Sequence, residues 1–120
     1  MSAGYRLIAP QVLWQAAGAD LDTFRALSQL FLDLAPGRLA ALEQALRRGQ
    51  TGAVAAASHA LKGMTLLVGA DQLSNLLQEL ERQARAGTAA PPAALAGLLQ
   101  GVMDEVASSM AHYHGAEPPP

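Results

Sequence analysis

Apolar residues recur along this chain three and four positions apart, the spacing that gathers them on one face of an α-helix. Punctuation divides the pattern. Pro10 suits the first turn of a short helix bearing Val12, Leu13 and Trp14 that stops near Gly18. Asp20 is placed as the N-cap of a longer helix in which Leu21, Phe24, Leu27, Phe31 and Leu34 line one face. Pro36-Gly37 interrupts, but Leu39, Leu42 and Leu46 resume the spacing at once, which predicts one long kinked helix ending at Gly49. Thr51 is positioned to cap a third helix, and Gly69 to close it in a left-handed conformation. Asp71 is the expected cap of a fourth, with Leu73, Leu76, Leu77, Leu80 and Ala84 inward, Arg82 and Arg85 in its last turn and Gly87 beyond. Pro91 or Pro92 is expected to start a final helix carrying Leu95, Leu98, Leu99, Val102, Val106 and Met110.

The fold class is therefore all-α, an antiparallel up-and-down four-helix bundle with a short N-terminal lid helix. Residues 1–19 form the lid, 20–112 the bundle and 113–120 a disordered tail. A length of 120 residues fits one such domain.

Composition agrees and narrows the function. Hydrophobic residues make up 51% of the chain, mostly Ala and Leu, with only 4% aromatic, which favours helix. A net charge of −2, with the basic residues scattered, leaves no stripe to track phosphates, so nucleic acid is not an expected partner. The absence of cysteine excludes thiol catalysis, disulfides and zinc–thiolate sites and agrees with a reducing cytoplasm. No apolar run reaches the length of a membrane span and no signal-peptide pattern opens the chain, so a soluble cytoplasmic protein is expected.

The third helix carries the candidate chemistry. With Leu61 at the centre of its buried face, Val54, Ala57, Ser58, Met64, Thr65 and Val68 fall within about 60° of it. His59 lies about 160° away and points outward. Its neighbours on adjacent turns are Ala55, Ala56 and Gly63, none of them bulky. Gly63 costs about 1 kcal/mol relative to Ala in a helix interior, a cost understandable if another protein must approach closely. Lys62, at i+3, is within reach of a group attached to the ring. Leu66 and Leu67 lie on the outer flanks, where they either pack along the bundle edge or form a docking surface with Ala55 and Ala56. His112 and His114, two residues apart, do not share a helical face and do not read as a metal site.

The sequence His59-Ala60-Leu61-Lys62-Gly63, followed by Gly69-Ala70, Leu73 and Leu80-Glu81 and preceded by Phe31-Leu32, resembles the histidine phosphotransfer (HPt) domains of bacterial and plant phosphorelays from about Asp20 to Gly87. The resemblance implies that His59 accepts a phosphoryl group, that Lys62 helps hold it and that Gly63 gives access. Met64 departs from the small polar residue of many relatives and, being on the buried stripe, is expected to alter packing without loss of chemistry. Ala60 also differs from the acidic residue that usually follows the histidine of autophosphorylating kinases.

A neutral imidazole is a good nucleophile and needs no dedicated base, and a nearby ammonium stabilises the transferring oxygens. The expected role is a relay between aspartates of receiver domains, not an ATP-dependent kinase. The resemblance implies partners of the response-regulator receiver or hybrid histidine kinase type, with no cofactor of the domain's own and Mg2+ supplied by the receiver. The domain is expected to be monomeric, and either free-standing or a segment of a larger hybrid kinase. The alternative is a bundle of the same fold that binds a receiver or other signalling partner without accepting phosphate.

Overall fold

The computed structural model describes residues 4–115. Five helices and no strand occur among them: α1 (Pro10–Ala16), α2 (Leu21–Arg47), α3 (Thr51–Leu67), α4 (Asp71–Arg85) and α5 (Leu95–His112). Helix α3 packs most extensively on α4 and then on α2, while α5 lies chiefly against α2. None of these helices is long and apolar enough to cross a membrane.

Asp20 caps α2 as its position predicts, its carboxylate accepting from the Thr23 amide at 2.9 Å and the Thr23 hydroxyl at 2.7 Å. Helix α2 runs unbroken through Pro36. The ring is exposed, about 100° round the helix from buried Ala35, so the backbone donor it removes is on the side open to water. Phe24, Phe31 and Leu42 are buried, but Leu34 is 43% exposed, contrary to its place in the predicted core stripe. Leu34 lies about 60° from Phe31, on a flank that the bundle leaves open.

Three boundaries also differ from expectation. The N-caps of α3 and α4 are Gln50 and Ala70, without side-chain cap bonds, and Thr51 and Asp71 are the first helical residues. The linkers, residues 48–50 and 68–70, are so short that helical geometry begins one position early. Asp71 still favours its helix, as a negative charge in the first turn. Gly69 takes φ +69, as its closing role requires, and a Cβ there would come within 2.7 Å of Ala9 Cβ. Helix α5 begins at Leu95, not at Pro91 or Pro92. Each proline disfavours helical geometry in the residue before it, and a turn closed by the Leu95 amide on the Pro92 carbonyl at 3.2 Å precedes the helix.

Helix α1 has Pro10 in its first turn and packs against α2 and α3. The segment before it is pinned by Glu105 of α5, whose carboxylate accepts from the amides of Arg6, Leu7 and Ile8 at 2.9, 2.9 and 3.2 Å. The Ala9 amide donates to the Val68 carbonyl at 3.3 Å. Trp14 and Phe24 meet edge to face at 5.5 Å, and Tyr113 joins both rings at 5.8 and 5.6 Å. The chain is thus packed beyond His112, where a disordered tail was expected to begin; residues 116–120 of that tail lie outside the described residues.

Candidate phosphotransfer site

Position 59 is on the outward arc of α3 because Val54, Ser58, Leu61 and Thr65 turn inward and are buried. The His59 side chain is 65% exposed. Gly63 is exposed one turn on, with nothing within 4 Å of where a Cβ would stand. The ring is therefore open to an approaching protein.

One edge of the ring is nevertheless engaged. Nδ1 lies 3.1 Å from Oε2 and 3.3 Å from Oε1 of Glu81, on α4. The Lys62 side chain is only 16% exposed, and its ammonium donates to Glu81 Oε1 at 2.9 Å and also to Gln78. Arg85, one turn beyond Glu81, donates to Oε2 through its terminal nitrogen at 2.7 Å and through Nε at 3.1 Å. A nearly buried carboxylate is thus satisfied by donors from three side chains. Arg85 and then Lys62 hold Glu81 down at about 2 against the opposing effect of burial, with His59 contributing as well.

The consequence falls on the imidazole. A carboxylate only accepts hydrogen bonds, so the proton of the neutral ring belongs on Nδ1 and the lone pair on Nε2. Nε2 is on the edge of the ring remote from Glu81, and that outer edge is a nucleophile presented to solvent.

The other predicted residues divide. Ala56, Leu66 and Leu67 are exposed, the two leucines at 50% and 39%. Ala55 is 7% exposed and belongs to the core, so it is not part of the outer face. It shares a side of α3 with Lys62, and α4 covers that flank, widening the buried arc. On the opposite flank an apolar groove between α2 and α3 is lined by Leu27, Leu30, Phe31, Leu34, Met64 and Leu67. Met64 is half-buried and forms part of its wall, not of the deep core.

Glu81, Gln78 and Arg85 were not singled out for chemistry by the pattern of the chain. A signal was present: Glu81 lies about 40° from Leu77, inside the apolar arc of α4, where an ionisable group requires partners. Arg85 at i+4 is one such partner.

The family model of the Hpt domain matches residues 26–109. The chain belongs to the Hpt domain family. Histidine phosphotransfer in a phosphorelay is the function this membership carries. Among solved structures, this Hpt domain is similar to histidine-containing phosphotransfer protein B (HptB) from Pseudomonas aeruginosa PAO1. The two share 26% identity with a TM-score of 0.63, over 91% of this chain and 90% of that one. A comparison with curated protein sequences found no match.

Proposed function

We propose that this Hpt domain takes a phosphoryl group from the aspartate of one receiver domain onto Nε2 of His59 and passes it to the aspartate of another. The observation that carries the reading is an imidazole 65% exposed on its helix while its Nδ1 rests on the Glu81 carboxylate. In the first step the Nε2 lone pair attacks phosphorus as the aspartyl P–O bond breaks. Positive charge then develops on the ring beside Glu81. The Lys62 ammonium, at i+3, offsets the negative charge of the transferring oxygens. Gly63 leaves room for the receiver.

In this reading the domain is a carrier without ATP-dependent kinase activity of its own, acting in the cytoplasm as a monomer, and the receiver brings the Mg2+. Its partners are response-regulator receivers or the receiver of a hybrid kinase. The partner surface joins Ala56, Leu66 and Leu67 to the α2–α3 groove, in which Leu30 and Leu34 are also exposed. The scaffold is an antiparallel up-and-down bundle of α2 to α5 closed by α1, supported by the short linkers at 48–50 and 68–70.

Incubation with a phosphorylated receiver domain tests the proposal. Label that is labile in acid and stable in alkali is expected on the wild type and absent from His59→Gln. A wild-type protein that binds the receiver but stays unlabelled would instead establish an adaptor.

A further inference from the structure

Glu81 has a second consequence, which concerns the phosphorylated state and rests on the phosphotransfer reading. When phosphorus is bound at Nε2, the ring can keep its Nδ1 proton and be a cation, or lose it and be neutral. The two forms differ in how the N–P bond breaks. As an acceptor carboxylate forms its O–P bond, the electron pair of the N–P bond returns to Nε2. A ring protonated at Nδ1 leaves as neutral imidazole and no proton need move. A ring without that proton must leave as imidazolate, a far poorer leaving group.

We infer that Glu81 is a positioning residue that keeps Nδ1 protonated in phospho-His59 and thereby keeps the phosphoryl group ready for onward transfer at neutral and mildly alkaline pH. The carboxylate stands 3.1 Å from Nδ1 and is nearly buried, so its charge acts on the ring through a short path that water screens poorly. The groups gathered at this carboxylate are Lys62 on α3 and Arg85 on α4, besides His59, while Gln78 on α4 accepts from Lys62. Of the other helices packed on α3, α2 contributes apolar Leu27, Leu30 and Leu34 to the groove between them, and α1 carries no ionisable residue. Lys62 and Arg85 oppose protonation of the ring, and Glu81 is the one group among these that favours it. A phosphoryl group on Nε2 offers the two cations a second anion. Any shift of Lys62 or Arg85 toward it leaves Glu81 more fully to the ring.

The test loads the protein with inorganic phosphoramidate and follows phospho-His59 by 31P NMR through a pH titration. Glu81→Gln preserves size and an acceptor oxygen while removing the charge. Its Nδ1 titration midpoint is expected at least about one pH unit below that of the wild type, a tenfold loss of proton affinity. Transfer from phospho-His59 to an unphosphorylated receiver is expected to be at least about fivefold slower in the variant at pH 8, with the deficit shrinking at pH 6. Arg85→Gln, which removes an opposing cation, is expected to move the midpoint upward, and this arm decides the matter if Glu81→Gln does not fold. Coincident midpoints, or a deficit of the same size at both pH values, would overturn the inference, since a merely structural role predicts no pH dependence. A wild type that takes no phosphate at His59 from either phosphoramidate or a phosphorylated receiver would overturn the phosphotransfer reading itself, whereas a labelled wild type with unmoved variants sinks only the role of Glu81.

Discussion

Gly63 offers a substitution whose effects on stability and on transfer have opposite signs. It sits within α3 at an exposed position, with a helical neighbour on each side and no atom within 4 Å of the place a Cβ would occupy. Replacing it by Ala removes the backbone entropy of glycine without a clash. The expected gain is about 0.8–1 kcal/mol, or roughly 3–6 °C in Tm for a chain of this size. Leu, with a helix propensity close to that of Ala, gains nearly as much. Thermal unfolding followed by circular dichroism measures the first effect. The second is the initial rate of transfer from a phosphorylated receiver, where Gly63→Leu is expected to lose at least about tenfold, the equivalent of about 1.4 kcal/mol in the barrier, because its side chain stands where the receiver must approach. A Gly63→Ala protein that melts no higher than the wild type would refute the structural premise. A Gly63→Leu protein that is stable and transfers at the wild-type rate would refute access as the reason for the glycine. Gly69 differs: its φ of +69 and its approach to Ala9 make glycine a requirement of the fold.

Lys62→Ala is expected to slow transfer more than it weakens receiver binding, as measured by single-turnover labelling beside a binding titration; equal losses in both would contradict its assigned role. Glu81 also links stability to acidity. Its folded value of about 2 lies below the ordinary 4.5, so its stabilising contribution is complete above about pH 4.5 and is lost as the pH falls toward 2. Full linkage would amount to roughly 3 kcal/mol, and screening at the exposed Arg85 reduces it to about 1–2 kcal/mol. Urea unfolding of wild type and Glu81→Gln at pH 7 and pH 3 should show their stability difference narrowing in acid, and a constant difference would count against the ion-pair account.

Helical spacing carried most of the fold because each helix needs one apolar face, and Leu61, Leu73, Leu77, Leu99 and Val102 are all buried where that spacing puts them. The outward direction of His59 follows from the same geometry. What the spacing does not contain is the identity of the neighbouring helix. Ala55 looks outward if α3 is considered alone, and is covered because α4 lies on that flank. The Glu81 cluster joins residues on two helices, and only their packing brings Lys62 and His59 to one carboxylate. The start of α5 depended on local backbone restriction at Pro91 and Pro92, which outweighed the tolerance of helices for proline in their first turn.

The clamp of Glu105 on the amides of Arg6 to Ile8, with Tyr113 seated on Trp14, gathers the first and last described segments at a single pole. That pole adjoins Val68, the C-cap of α3, which lies nine positions after His59, a rise of about 13 Å. A fluorophore attached at Arg6 or at His114, both exposed, would leave from the same pole of the molecule. A donor and acceptor pair placed there would stand close together, to one side of the face that carries exposed His59, and a protein docking on that face could be sensed without altering the surface it meets.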